Sequence, residues 1–265
     1  MGKYEISQEQ RDKYEAEFFD KVVAEKDLSD LRISAEMMET LARILKELGL
    51  EFDEAQGNKV LDCGCGTGLL TVYLALQGCD AYGIDVSEES IKVTLQRAKV
   101  YGLEPRVHAQ VMSIEKMAYP SDWFDRVVGK FVLHHVDVES AGREIYRVLK
   151  PGGHAIFYEN SANNRLLMAS RRLLTGRFGV PKVSDDIEHP LKRSEIGVLR
   201  RIFEGSARSH YPDFVFFRLL DGYILRGRSQ LLSSVLAALD QAVYKYAPFL
   251  RQYGYFQIVV LEKKT

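Results

Sequence analysis

Residues 59–85 decide the fold. They read Lys59-Val60-Leu61-Asp62-Cys63-Gly64-Cys65-Gly66-Thr67-Gly68, then a run from Leu69 to Leu76, then Asp80-Ala81-Tyr82-Gly83-Ile84-Asp85. The first run is a short apolar strand ending in a glycine turn, the second a helix, the third another strand. Strand, helix and strand make one crossover unit, and such units build a parallel sheet. The grammar continues downstream. Ser87 caps a helix running to about Tyr101, with Ser90 where a capping box would carry Glu or Gln. Arg106 to Val111 and Phe124 to Val132 read as the third and fourth strands. Glu139 to Leu149 reads as a helix stopped by Lys150-Pro151-Gly152-Gly153, and His154 to Tyr158 as the fifth strand. Helices then lie on both faces, which lets Lys59-Val60-Leu61 and Ala155-Ile156-Phe157 be apolar throughout.

The flanks differ. Residues 6–24 pattern as an acidic helix with Tyr14, Phe18 and Phe19 among the charges. In 33–49 the residues Ile33, Met37, Leu41, Ile44, Leu45 and Leu48 share one helix face, and Gly49 stands where a C-cap belongs. After Asn160 the alternation breaks. Residues 161–205 are basic and loop-rich, with helices expected at 163–174 and 192–204. Phe214-Val215-Phe216-Phe217 reads as a sixth strand, 228–247 as helix, and Gln257 to Leu261 as the last strand. No internal repeat is visible.

Composition excludes several classes. The 265 residues are 46% hydrophobic and 28% charged with seven prolines, which rules out a disordered or low-complexity chain. A net charge of −1 gives no overall field for nucleic acid. No apolar run approaches the roughly 18 residues of a membrane helix. The polar, acidic start is no secretory signal, and Ile6 stands where myristoylation after Gly2 wants Ser or Thr. Cys63, Cys65 and Cys79 are too few for a disulfide scaffold, so reduced thiols and a cytoplasmic location are expected. The charge is uneven: residues 1–160 hold 19 Lys+Arg and 28 Asp+Glu, residues 161–265 hold 17 and 9. Nets of −9 and +8 imply different tasks or partners for the two parts.

Ligands of open α/β sheets bind at the carboxyl ends of the strands. Glycines at Gly64, Gly66 and Gly68 let a ligand approach the backbone there. The spacing is not a dinucleotide fingerprint, since Leu69 stands where G-x-G-x-x-G needs its third glycine, and no G-K-[ST] follows. Asp85 ends the next strand, 21 residues after Gly64, where a carboxylate can accept both hydroxyls of a ribose. Cys63 and Cys65 share a tight turn with no second pair nearby. They read as small buried side chains rather than a metal or redox pair, and no metal site is expected.

Taken in order, V-L-D-C-G-C-G-T-G, G-I-D-V-S, W-F-D-R-V-V, L-H-H-V and E-I-Y-R-V-L-K-P-G-G resemble a class I S-adenosylmethionine-dependent methyltransferase of small-molecule type over roughly 58–160. The resemblance implies an α/β, Rossmann-like, seven-stranded, mostly parallel sheet with helices on both faces and a helical lid. It divides the chain into N-terminal helices (1–50), a cofactor-binding core (51–160), lid insertions including the sixth strand (161–250) and the last strand (251–265). It implies S-adenosyl-L-methionine as cofactor. Gly64, Cys65, Gly66 and Gly68 would lie beside the methionine portion, Asp62 near its ammonium, Asp85 on the ribose and Val86 beside the adenine. The family usually places an acid after the third strand; here Ser113 stands there, followed by Ile114. Lys130 and Phe131 would line the pocket near the sulfonium.

His134 and His135 follow the fourth strand and suit a base near neutral pH, although L-H-H-V is also read as structural. His189, His210 and Tyr211 are lid candidates for contact with the acceptor. Tyr14, Phe18 and Phe19 fit either closure over the cofactor or a plain core helix. The expected reaction is in-line methyl transfer to O or N of a small molecule, with C-methylation of a quinone, isoprenoid or lipid as the alternative. A binding module without catalysis is the contrasting reading, which an intact glycine turn with Asp85 argues against. Nucleic-acid methylation is discounted, because Gly129-Lys130-Phe131-Val132 lacks an N/D-P-P-Y/F motif. Arginines Arg171, Arg172, Arg177, Arg200 and Arg201 mixed with Phe178, Tyr211, Phe214, Phe216 and Tyr223 suit an acceptor with an apolar body and an anionic group. Contact with an anionic membrane surface and pairing with the acidic N-terminal part are the alternatives. The sequence sets no oligomeric state.

Overall fold

A strand without a polar face has to be covered on both sides, and β1 (Lys59–Cys63) is buried from Val60 to Cys63. The computed structural model describes residues 7–47, 57–174, 189–221 and 229–265. In it β1 lies between β2 (Asp80–Asp85) and β4 (Phe124–Lys130), both parallel to it. β3 (Val107–Val111) continues outward from β2, and β5 (Leu149–Asn160) runs parallel to β4. β7 (Phe256–Glu262) is antiparallel to β5, and β6 (Ala207–His210) closes the far edge against it. The order is β3-β2-β1-β4-β5-β7-β6. The chain moves outward from β1 to β3, then crosses back to β4 on the other side of β1. That reversal opens a crevice above the carboxyl ends of β1 and β4.

Helices cover both faces, as expected from the alternation. On one face α5 (Val138–Val148) brings Val138, Ala141, Ile145 and Val148 into a core with Phe124, Phe157 and Leu261. On the other, α2 (Ala35–Glu47) contributes Leu41, Ile44 and Leu45. They meet residues of α3 (Leu69–Leu76), such as Val72 and Leu74, and Ala98 of α4 (Glu88–Val100). Ser87 caps α4 by accepting from the Ser90 amide at 3.0 Å. The N-terminal helix α1 (Gln8–Ala24) carries a capping box between Ser7 and Gln10. Leu48 and Gly49 lie outside the described residues.

Several sequence expectations need correction. The fourth strand ends at Lys130 rather than Val132, because Phe131 takes a left-handed φ of 57° and turns the chain out of the sheet. The Lys150-Pro151-Gly152-Gly153 run does not separate helix from strand. It is already β5, with Leu149 paired to Phe124 and the Gly152 amide donating to Lys263 O at 2.7 Å. The helix expected at 192–204 is α7 (Arg193–Ile202). It packs on α5 and places Leu199 in the core, with Phe203 just beyond its end, so this part of the expected lid belongs to the body of the sheet. The run at 163–174 gives α6 (Arg165–Leu174). Arg177, Phe178 and Tyr223 lie outside the described residues.

Phe214 to Phe217 is not a strand. β6 lies earlier, and α8 (Phe217–Leu220) begins where the strand was expected. The cause is Asp240 of α9 (Gln230–Tyr246), a fully buried carboxylate. It accepts from the amides of Phe216, Phe217 and Arg218 at 3.1, 2.9 and 3.1 Å, which takes up donors a sheet ladder would need. Arg218 Nε adds a fourth contact at 3.1 Å. Replacing Asp240 by Leu strands three amides. The expected loss is about 2–3 kcal/mol, read as a lower urea midpoint. An unchanged midpoint would refute this anchoring.

Candidate active site

The turn after β1 is built by glycines that other residues cannot replace. Gly64, Gly66 and Gly68 have φ values of 66°, 51° and 75°. A Cβ on Gly64 would lie 2.7 Å from Val132 Cγ2, and one on Gly68 2.6 Å from the Thr94 side chain. At Gly66 a Cβ would meet nothing within 4 Å, and this glycine faces a cavity. The amides of Gly64 and Cys65 donate to Ile84 O at 2.8 and 3.0 Å. The Asp85 carboxylate then locks the turn, accepting from the Gly66 amide through Oδ2 and the Ser87 amide through Oδ1, both at 2.9 Å.

The cavity above this turn measures about 490 Å³. It extends from Ser113 and Ile114 beyond β3, past Asp85 and Val86 after β2, over Gly64 and Gly66, to Lys130 and Phe131 after β4 and Asn160 of β5. Of the residues singled out in the sequence, Gly64, Gly66, Asp85, Val86, Ser113, Ile114, Lys130, His134 and His135 all line it. Asp62, Cys65 and Gly68 stand behind the wall. Asp62 is buried, and Thr71 Oγ1 donates to its Oδ2 at 2.6 Å. Burial pushes the Asp62 pKa up to about 7, with the Asp85 charge adding to the shift. Burial also drives the Cys63 and Cys65 thiols well above their ordinary range, which removes thiolate character from both.

His134 and His135 differ in surroundings. His134 is buried, with Nδ1 2.6 Å from Glu159 Oε2. Glu159 is itself fully buried, and its Oε1 accepts from the amides of Val132 and Leu133 at 2.9 and 2.8 Å. A carboxylate so fixed selects the tautomer with the proton on Nδ1. His135 Nδ1 lies 3.2 Å from Glu15 of α1, and its ring meets Phe19 edge-on at 5.5 Å.

The lid candidates do not reach the cavity. His189 Nδ1 lies 3.1 Å from Pro190 O, His210 ends the edge strand β6, and Tyr211 accepts from Asn163 Nδ2 at 3.2 Å. Among the described residues the cover comes from α1, which supplies Arg11, Asp12, Glu15, Phe18 and Phe19 to the lining. Phe18 and Phe19 were legible as candidates; Asp12 and Glu15 were not. The signal was their spacing, since 8, 11–12, 15 and 18–19 share one face of a helix. Arg11 clamps the helix through Glu115, with contacts of 2.6 and 2.8 Å from Nη2 and 3.2 Å from Nε. Glu159 and Asn160 were also missed as lining or supporting residues.

Asp62 has a consequence for stability. Its folded pKa lies above the unfolded value of 3.8, so the folded state holds the extra proton and is favoured at low pH. This contribution is lost as pH rises from about 4 through about 7. Asp62→Asn should therefore flatten that fall and be the more stable protein at pH 8, by on the order of a few kcal/mol. Urea titrations of both proteins from pH 4 to 8 check this; parallel curves would contradict it.

Residues 61–157 match the family described as a methyltransferase domain. Methyltransferase GfsG of Streptomyces halstedii is 35% identical over 113 residues, 42% of this chain and 41% of that protein. A ubiquinone biosynthesis O-methyltransferase of Bordetella avium is 32% identical over 153 residues, 55% of this chain and 61% of its own length. The chain thus spans between about two fifths and three fifths of these relatives. The fold matches a geranyl diphosphate C-methyltransferase from Streptomyces coelicolor, with TM-score 0.59 and 15% identity over 96% of this chain and 98% of that one. With the glycine turn, the sheet order and this domain match together, residues 61–157 form a methyltransferase domain of the class I S-adenosylmethionine-dependent kind.

Proposed function

We propose that the chain moves a methyl group from S-adenosylmethionine to an oxygen or nitrogen of a small-molecule acceptor. The observation that carries this reading is His134, which is held by the buried Glu159 and lines the same cavity as the glycine turn and Asp85. The residues suit the cofactor. Gly66 leaves open space beside the turn, Asp85 offers a fixed carboxylate to a ribose diol, and Asp62 stands behind the turn as a partner for an ammonium group. The cofactor supplies an electrophilic methyl on a sulfonium, a leaving group already activated. The remaining tasks are orientation of the acceptor and removal of its proton. His134 Nε2 takes the proton, and Glu159 holds the ring and balances the charge it gains.

The acceptor end is the β4–β5 side, where Lys130, Phe131, Asn160 and Phe256 line the cavity. The rings of Phe131, Tyr158 and Phe256 pack together at 5.3–6.1 Å between centroids. Lys130 is the exposed end of an otherwise mostly buried strand. No carboxylate pairs with it among the described residues; its ammonium lies 5.2 Å from the Phe131 ring centre. Asn160 Oδ1 is buried with no hydrogen-bond partner among the described residues. Aromatic faces, a cation and an unspent acceptor together suit a planar, acidic, hydroxyl-bearing molecule. Methylating an anion also neutralises charge, which a partly enclosed cavity favours. C-methylation of a quinone, isoprenoid or lipid is the second reading, favoured by the full-length fold match to a geranyl diphosphate C-methyltransferase. No helix among the described residues is long and apolar enough to cross a membrane. A location in the cytoplasm is part of the proposal.

Calorimetry with S-adenosylhomocysteine tests the cofactor half. Asp85→Ala should weaken binding by about 1.5–3 kcal/mol, or roughly ten- to a hundredfold. Unchanged affinity would remove Asp85 from the site. Metabolite extracts supplied with methyl-labelled S-adenosylmethionine test the reaction and identify the product. With that product assayed, His134→Gln should keep the cofactor affinity and lower kcat by about 10²–10⁴. Turnover at the original rate would exclude His134 as the base.

A further inference from the structure

We infer that Asp12 of α1 accepts the hydrogen bond of the cofactor's adenine amine, so that the N-terminal helix reads the nucleobase. This rests on the cofactor reading above. The sheet order sets the direction. The cavity runs from the β3 end across β2 and β1 to β4 and β5. A ligand whose diol meets Asp85 and whose amino-acid end meets the turn after β1 must extend its base toward β3. The wall there is Met112, Ser113 and Ile114, with Asp12 facing them from α1.

An exocyclic amine is a donor and needs an acceptor when buried. Ile114 offers none. Glu115 is spent on Arg11 and on the Asp137 amide, the latter at 2.8 Å. Asp85 meets the diol in this orientation, and Glu15 faces His135. Asp12 remains. Its carboxylate is hydrogen-bonded to the Ser113 side chain, and Gln8 Nε2 approaches its Oδ2 at 3.5 Å. Both hydrogen-bond partners are neutral; the adjacent Arg11 directs its guanidinium to Glu115 and reaches Asp12 through its charge. Ser113 thus positions a carboxylate that the loop after β3 does not itself carry. Burial raises the Asp12 pKa, and a bound N–H donor would favour its charged form.

The geometry makes a specificity claim. A 6-amino group donates toward Asp12, whereas a 6-oxo group would set oxygen against carboxylate. Sites built to pair an N–H discriminate strongly against analogues lacking it. The test measures S-adenosylhomocysteine and S-inosylhomocysteine binding by calorimetry for the full chain, Asp12→Asn and Asp12→Ala. The unmodified protein should prefer the adenosyl compound by at least about tenfold. Both variants should narrow that preference to within roughly threefold. Asp12→Asn, whose amide can donate to the 6-oxo group, should also bind the inosyl compound more tightly than the unmodified protein does. Thermal unfolding confirms that the variants fold.

A role in docking α1 alone would weaken both ligands equally and leave the preference intact, and that result overturns the proposal. So does an unmodified protein that binds both compounds alike. Failure of the unmodified protein to bind either compound removes the cofactor reading itself.

Discussion

Two amide hydrogen bonds to one carboxylate organise the site. Asp85 ends β2, yet its oxygens hold Gly66 of the turn after β1 and Ser87 at the cap of α4. Two loops from neighbouring crossover units are thereby fixed to each other rather than left to vary separately. Thr94 of α4 completes the connection by donating to Gly66 O at 2.9 Å. A preorganised turn has less ordering entropy to lose when a ligand arrives. The expense is desolvation, which raises the Asp85 pKa even against its two amide bonds.

The second constraint is the clamp on α1. A helix with mixed polar and aromatic residues has little reason to lie on a sheet edge by hydrophobic burial alone. Arg11 and Glu115 supply the reason, with side chains only 6% and 1% exposed. An ion pair that dry has to be hydrogen-bonded throughout to avoid a net penalty, and here the guanidinium contacts both carboxylate oxygens. Glu115 also binds the Asp137 amide at the cap of α5, so α1, the loop after β3 and the loop after β4 meet at one carboxylate. Asp20 extends the attachment to α4 through Ser87 Oγ at 2.6 Å. The same helix that closes the cavity is therefore held at both ends by groups flanking it.

At the opposite end of the cavity the chemistry changes. Phe131 accepts a left-handed backbone conformation that glycine would take more easily. The turn it makes sends Val132, Leu133 and His134 back over Glu159. Strain of this kind persists where surrounding contacts over-determine it, and here the Phe131 amide is tied to Tyr158 O at 2.8 Å. The His134–Glu159 pair and the aromatic shelf are products of one bend.

The alternation of strand and helix, the glycine turn and the position of Asp85 were legible in the sequence, because each is local. Hydrophobic period, a cap or a φ requirement is written within a few residues. The cofactor end of the cavity follows from these local features and the sheet they build. What covers the cavity was not local. Basic and aromatic residues beyond Asn160 suggested a lid. Yet α7 spends Leu199 in the core, with Phe203 beside it, His189 and Tyr211 meet Pro190 and Asn163, and His210 ends the edge strand. Asp240 shows the same limit: an apolar run at 214–217 reads as a strand until a carboxylate 23–24 residues later claims its amides. Arg11 and Glu115 are 104 positions apart, far beyond the reach of any periodic pattern. Pairings at such separation are set by how the sheet brings its ends together, and only the tertiary structure decides them.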